Sequence, residues 1–485
     1  MKKLISSILF LSVFSAFASG CKKGGGGGSD STPIVNTKVI TVTADSTKKF
    51  QVMDGFGGFG AQMEYWGAGP FTSAAYVNSL INDLGLTILR DNIPSNFEIN
   101  NDNNDPFNTD LSKYNINNNT AGHDGKLADH LQFLKDMKAA GLQKLIVSIW
   151  TPAPWMKWNN KPGNGTTNQN SAPAYTNSPD ITTNQLKTDM YDEFAEYCVA
   201  YIKTIKNETG IDVYALSMQN EPRFSQFYGS CVYNGNAMRD VIKVLGKRLE
   251  DEGLSTKLFL PEDVGWYDGI KGLVDPVLAD AGARKYVDII AVHGYANDGV
   301  NPGSTDAQTW RNMYNWGAPY NIPLWMTETS GYPNTNDGAI ALSKAMYIAL
   351  NFGNASAWVF WSISTTTLDA YSLMNSAGVT SKRYYISKNY YKYIRPGAQR
   401  FDITTTDEHI LPLAFANTAE ASTTIVITND DNTDKAIKLA GTGIPAQFSV
   451  IVTSANENCT DKGVQNATGV VLLPAKSVVT LYRKN

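Results

Sequence analysis

The sequence predicts an α/β protein: a (β/α)8 TIM barrel with an associated C-terminal β-sandwich. Three observations carry that expectation. Between residue 53 and about residue 395, eight short apolar runs alternate with helical stretches. After Pro396-Gly397 the pattern changes to short Thr- and Val-rich runs parted by Asn, Asp and Gly turns. The length of 485 residues exceeds one ordinary domain and suits a large barrel with a smaller companion.

The first residues stand apart from the fold. Lys2 and Lys3 form a positive n-region, and Leu4 to Phe17 is apolar but too short for a stable membrane helix. Ala18-Ser19-Gly20-Cys21 looks like a bacterial lipoprotein signal, cleaved after residue 20 and lipidated on Cys21. Residues 21–36 hold the glycine run Gly24 to Gly28, a flexible tether. The expected location is a bacterial cell envelope, with the lipid as the sole membrane contact. Residues 37–52 read as a strand that packs with the C-terminal sandwich.

The barrel is expected over residues 53–395. "FQVMDGFGG" (50–58), "ILRDNI" (88–93), "KLIVSIW" (144–150), "YALSMQNEP" (214–222), "KLFLPE" (257–262), "VDIIAVHGY" (287–295), "PLWMTET" (323–329) and "SAWVFWSI" (356–363) read as its eight strands. Each is nearly continuous in apolar character, as strands covered on both faces must be. Helical patterns lie between them, such as 126–141 closed by Gly141 and 189–210 closed by Gly210. Asn- and Asp-rich residues 94–122 and the Asn-, Thr- and Pro-rich 159–184 follow strands, which puts both insertions on the catalytic face. Residues 396–485 form the sandwich.

Composition narrows the function classes. The net charge of −4 becomes −6 once Lys2 and Lys3 leave with the signal, and no basic stripe exists, so nucleic acid is excluded as a partner. Cys198, Cys231 and Cys459 remain beside Cys21 and permit one disulfide at most. His123, His130, His293 and His409 show no metal-ligand spacing, so neither a metal nor a cofactor is expected. A monomer is expected.

Barrel function sits at the C-terminal ends of the strands. Strand four ends Gln219-Asn220-Glu221-Pro222, with Pro222 expected to hold Glu221 extended. Strand seven ends in Glu328. Two carboxyls facing one another across a sugar-sized cleft suit glycosidic cleavage: one protonates the leaving oxygen, the other attacks the anomeric carbon or activates water. Arg90 ends strand two, where a guanidinium keeps Glu328 charged and oriented. His293 and Tyr295 end strand six, with Tyr295 placed to hydrogen-bond Glu328. Trp155 is the favoured sugar-stacking ring among Trp66, Trp155, Trp158, Trp266, Trp316 and Tyr332.

"LSMQNEP" and "LWMTET" resemble the acid/base and nucleophile strands of the clan A glycoside hydrolases. With "MDGFGGFGAQ", "ILRDNI", "SIWTPAPWMK" and "SKRYYISKNYYKYIRPGAQRFDI", the chain resembles glycoside hydrolase family 30 over residues 40–485. The resemblance implies Glu221 as general acid/base, Glu328 as nucleophile and Asn220 as a ligand of the sugar 2-hydroxyl. It implies retention through a covalent intermediate, a raised pKa at Glu221 and an ionised Glu328. Trp361 resembles the clan's sugar platform, with a cis bond to Ser362. The implied reaction is endo-cleavage of a cell-wall polysaccharide, xylan or β-1,6-linked glucan. The uronate-binding arginine of the glucuronic-acid-dependent xylanases is missing from "WSISTTTLDAYSLM" (361–374). An exo-β-glycosidase of glucosylceramidase type and a non-catalytic glycan-binding surface lipoprotein are the alternatives.

Gly55-Phe-Gly57-Gly-Phe-Gly60 matches the dinucleotide pattern G-x-G-x-x-G. No helix opens on that loop, because Gly67, Gly69 and Pro70 follow it. The glycines are expected to close strand one, with Gln62, Glu64 and Trp66 projecting toward the cleft.

Overall fold

The computed structural model describes residues 38–60, 73–118, 126–168, 174–264, 268–296 and 304–484. Residues 1–37, including Cys21, lie outside the described residues, as do Gln62, Glu64, Trp66, His123 and Trp266. After strand β1 (Val39–Val52), eight parallel strands close a barrel: β2 (Gly55–Phe59), β3 (Ile88–Asn92), β4 (Lys144–Ser148), β5 (Val213–Ser217), β6 (Lys257–Asp263), β7 (Ile289–His293), β8 (Leu324–Glu328) and β9 (Ala357–Phe360). Each is followed by a helix: α1 (Ala74–Asn78), α2 (Leu127–Ala140), α3 (Tyr191–Thr209), α4 (Gly235–Asp251), α5 (Asp268–Ala279), α6 (Ser304–Gly317), α7 (Asn336–Phe352) and α8 (Lys382–Tyr391). Gly141 at φ 113 and Gly210 at φ 69 end α2 and α3 in the left-handed conformation.

Ile88, Ile146, Ala215, Phe259, Ile289, Ala291, Trp325, Ala357 and Val359 fill the barrel interior. Side chains alternate along a strand, so the residue two places on points inward one layer nearer the C-terminal mouth. Arg90 follows Ile88 in this way, Ser148 follows Ile146, and His293 follows Ala291. The polar mouth is thus an extension of the apolar core by the same period.

The glycines of β2 serve packing. A Cβ on Gly57 would lie 2.0 Å from the Ile88 carbonyl oxygen, one on Gly58 2.5 Å from Ile363, and one on Gly60 2.2 Å from Leu89. Neighbouring strands and the chain after β9 come too close for any side chain there. Among the described residues the first helix after β2 is α1, which starts at Ala74 and is capped by Ser73.

The chain after β9 carries the two-residue strands β10 (Ser364–Thr365) and β11 (Met374–Asn375). Beyond α8 follow β12 (Gln399–Thr405), β13 (Ile410–Asn417), β14 (Ser422–Asn429), β15 (Lys435–Gly441), β16 (Gln447–Thr453), β17 (Thr460–Asn466), β18 (Val471–Leu473) and β19 (Ser477–Lys484). With β1 they form one continuous sheet in the order β17-β16-β19-β14-β13-β12-β1-β15-β18. The companion is therefore a single sheet curled about its own core, which Val42, Phe401, Ile425, Ile437, Phe448 and Leu481 help to fill. Helices α7 and α8 dock on it through polar pairs, Ser343 Oγ to Thr428 Oγ1 at 2.7 Å and Asn389 Nδ2 to Thr480 Oγ1 at 2.9 Å.

Gly57→Ala is expected to destabilise the protein by about 3 kcal/mol, because the colliding atom is backbone and cannot rotate away. A thermal melt reads this directly, and a Tm equal to that of the wild type would remove the packing account of the glycine run.

Candidate active site

Arg90, on β3, has no exposed surface. Its Nε donates to Ser148 Oγ at 3.0 Å, Nη1 to Glu328 Oε2 at 2.5 Å, and Nη2 to Asn220 Oδ1 at 2.7 Å. Nη2 also lies 3.1 Å from Glu262 Oε1. A buried guanidinium requires this many acceptors, since each unpaired N–H would carry its full desolvation cost. The Asn220 amide is oriented in consequence. Its oxygen faces Arg90, and its N–H groups have no protein acceptor among the described residues.

His293, also fully buried, stands among three carboxylates. Its Nδ1 is 3.3 Å from Glu221 Oε1 and 3.9 Å from Glu328 Oε2, and its Nε2 is 3.5 Å from Glu262 Oε1. Burial works against the imidazolium, but Glu328, Glu221 and Glu262 outweigh it and raise the pKa to about 9. Burial likewise opposes the Glu262 carboxylate, and Arg90 and His293 overcome it, bringing its pKa down to about 2.

Glu262 closes the apolar run "KLFLPE", but no motif in the sequence assigns it a role. Its signal was the strand-end position shared with Arg90 and Glu328. What hid it is a register shift. Between Pro261 and Asp263, β6 carries one more residue than its partner β7, and that residue is Glu262, at φ 52. A second shift, between Val292 and His293, brings His293 opposite Glu328 rather than Thr327. Such bulges re-aim side chains beside active sites, and here they turn two glutamates out of strict alternation toward one histidine.

Glu221 departs from expectation in its backbone. Its φ is 47, in the left-handed region, where Pro222 predicts extended chain. Strand β5 ends at Ser217, and the chain then turns sharply: the Glu221 N–H donates to the Glu262 carbonyl at 2.8 Å, and its own carbonyl accepts from Phe224 at 3.0 Å. These bonds, rather than strand pairing, hold the carboxyl.

A ligand atom from each of Glu221, His293 and Glu328 lies within 4.8 Å of the other two. The carboxylates are thus about as close as retaining glycosidases require, roughly 5–5.5 Å. The spacing would also admit a cation, but Arg90 against Glu328 and the protonated His293 already supply positive charge there, which disfavours a metal. The Tyr295 hydroxyl donates to Glu328 Oε1. Burial, with a further push from Glu221, raises the Glu328 carboxyl above its ordinary value, and His293 and Arg90 oppose that rise without cancelling it. Arg90, His293 and the Tyr295 hydroxyl all favour the ionised form.

The aromatic residues divide. Trp361 is half-buried, its ring centroid 4.3 Å from Phe59 and 5.8 Å from Trp150, and its peptide bond to Ser362 is cis. The Arg90 guanidinium lies 4.9 Å from the Trp150 ring, so this cluster adjoins the charged one. Sequence reasoning assigned no role to Phe59 or Trp150. Trp155 sits on the short turn Pro154–Met156, half-buried against the barrel core, and among the described residues no hydrogen bond joins it to the glutamates. Its indole N–H, like that of Trp158, is buried without a partner among the described residues. Tyr332 is fully buried and Trp316 packs on the core, so both belong to the barrel wall. Cys198, Cys231 and Cys459 are free thiols.

Residues 71–274 match the family model described as O-Glycosyl hydrolase family 30. The chain is 25% identical to glucuronoxylanase XynC of Bacillus subtilis (strain 168) over 468 residues, covering 93% of each chain. It is 26% identical to endo-1,6-beta-D-glucanase neg1 of Aspergillus fumigatus over 274 residues, covering 53% of this chain and 51% of that protein. Its fold is similar to that of a GH30 endoxylanase from Clostridium papyrosolvens C71, with a TM-score of 0.70 and 24% identity, covering 92% of this chain and 100% of that one.

Glu262→Gln tests the histidine's environment. The His293 pKa is raised on folding, so the stabilisation from its cation is complete below the ordinary value of about 6.5 and is lost as pH climbs through about 9. Removing one of its carboxylates is expected to shift the His293 titration, followed by NMR of its ring protons, down by about one unit. An unmoved titration would show that Glu262 does not hold the proton on His293.

Proposed function

The chain belongs to glycoside hydrolase family 30, and we propose that it is a retaining, endo-acting β-glycoside hydrolase for a neutral cell-wall polysaccharide of the xylan or β-1,6-linked glucan type. The observation that carries the reaction is the pair Glu221 and Glu328, facing across the barrel mouth with carboxylate oxygens within 4.8 Å. That gap leaves no room for a water between carboxylate and anomeric carbon, so the second carboxylate must itself attack.

Glu328, held by Arg90 and Tyr295, attacks the anomeric carbon. Glu221 gives its proton to the leaving oxygen, then takes one from the water that releases the glycosyl group. The free amide N–H groups of Asn220 are available to the sugar 2-hydroxyl, and Trp361 with Phe59 and Trp150 offers a ring surface to the sugar beside Glu328.

A neutral backbone is favoured by the segment after β9. Residues 361–374 contain no arginine. The next one, Arg383, is buried, and its Nη1 and Nη2 groups donate to the carbonyls of Tyr332, Asp369 and Ser372. It braces that segment and is not offered to a uronate. The signal-like residues 1–20, Cys21 and the glycine run support lipid attachment to a bacterial envelope, where a monomer would meet polymeric glycan.

On a panel of xylans and β-1,6-glucans the wild type is expected to release reducing ends. Glu221→Gln should lower the rate by about 10²–10⁴-fold, and Glu328→Gln should abolish it. Proton NMR of the first product should show the retained anomer. An inverted product would sink the nucleophile role of Glu328, and no release from any chain would sink the endo-glycanase reading.

A further inference from the structure

The insertion that follows β3 closes on the start of α3. Phe97 is fully buried against Tyr197 and Tyr201 of that helix, at ring-centroid distances of 5.7 and 5.2 Å, and the Tyr197 hydroxyl donates to the Pro94 carbonyl at 2.9 Å. This packing gathers four carboxylates, Glu98 and Asp102 from the insertion and Glu193 and Glu196 from α3. The Asp102 N–H donates to Glu98 Oε1 at 3.2 Å, the Asn101 side chain bonds Glu193, and Thr109 stands beside Glu196.

Neither the charge nor the oxygens are compensated. Among the described residues none of the four is paired with a lysine, arginine or histidine. The charge of Arg248 reaches Glu196, but its guanidinium donates to Glu252 Oε1 at 3.0 Å, to the Pro106 carbonyl and to Thr109 Oγ1 at 3.3 Å. Glu196 is 1% exposed, and neither of its carboxylate oxygens has a hydrogen-bond partner among the described residues. Glu193 Oε2, Asp102 Oδ1 and the Tyr114 hydroxyl are buried in the same condition. Burial raises the Tyr114 phenol, and the charges of Glu98, Glu196, Asp102 and Glu193 add to that rise, so its hydroxyl faces the same cluster. Buried polar oxygens left this way carry a desolvation cost that a bound ion would remove.

We infer that Glu98, Asp102, Glu193 and Glu196 form a calcium site that fastens the insertion to α3. The donors are oxygen alone, which suits a hard cation and not the centres that histidine and cysteine build. Calcium accepts irregular shells of about 6–8 oxygens, whereas magnesium demands a near-ideal octahedron, and donors from a loop and a helix fit the former. Among the described residues no three of these carboxylates meet within 4.8 Å. Capture of the ion therefore turns the half-buried Asp102 and Glu193 side chains inward over Glu98 and Glu196, which are fixed by burial. The insertion leaves the strand that carries Arg90, so the ion stiffens the chain just beyond the catalytic face.

The test is equilibrium dialysis of EDTA-treated protein against calcium chloride up to about 1 mM, with bound calcium counted per chain. A single ion is expected. Glu98→Gln and Glu196→Gln should each weaken binding about tenfold or more, while Glu221→Gln leaves it unchanged. Calcium should raise the Tm of the wild type. In EDTA, Glu196→Gln should melt at or above the wild type, because one buried like charge has gone. That pairing separates a lost ion from a damaged fold. No bound calcium, or equal binding in both cluster variants, overturns the site. Loss of binding in Glu221→Gln overturns it too, by moving the ion to the catalytic pair. Magnesium held as tightly overturns the choice of calcium, and Glu196→Gln melting below the wild type in EDTA overturns the uncompensated charge.

Discussion

One buried guanidinium holds the working end of the barrel together. Arg90 rises from β3 and is bound by Ser148 from β4, Asn220 after β5, Glu262 on β6 and Glu328 on β8. A cation without solvent is tolerated only when such partners surround it, and losing any one leaves a charge or an N–H uncompensated at a cost of several kcal/mol. Five neighbouring elements must therefore agree on one geometry. The order this imposes is what a glycosidase needs: a nucleophile that does not rotate, an amide turned to one orientation, and a histidine kept protonated between carboxylates.

Much of this was legible in the sequence, for reasons that can be stated residue by residue. All eight barrel strands fall on the apolar runs read from the chain, with β2, β5 and β6 each passing the edge of its run by one residue (Phe59, Val213 and Asp263), because strands buried on both faces have few other compositions open to them. Arg90, His293 and Glu328 stood out as polar residues closing apolar runs. The helix ends at Gly141 and Gly210 followed from the left-handed conformation that only glycine adopts cheaply.

The features that escaped share a physical cause: each depends on a departure from regular alternation. Glu262 occupies a bulge, and a bulge has no period to reveal it. The left-handed turn at Glu221 is set by a bond to a strand 41 residues further on (262 − 221), so the local rule for residues before proline could not anticipate it. Phe59 and Trp150 carry no local pattern of their own, and only their approach to Trp361 shows that the apolar interior reaches the cleft. The glycines of β2 matched a nucleotide pattern by residue type alone. What selects them is the closeness of β3 and of the chain after β9, a distance that no spacing in the sequence encodes.

Strand β1 has a further consequence for how the chain comes into being. It pairs with β12 and β15, more than three hundred residues away in sequence, and lies inside the sheet rather than at an edge. A ribosome adding about 5–20 residues per second would present β1 on the order of tens of seconds before either partner exists. During that interval its backbone must stay paired with water or with a chaperone. The barrel, whose strands join their neighbours in order of synthesis, can meanwhile build up between the two chain ends. Assembly thus runs from the middle outward, and the last strands to be made seat the first.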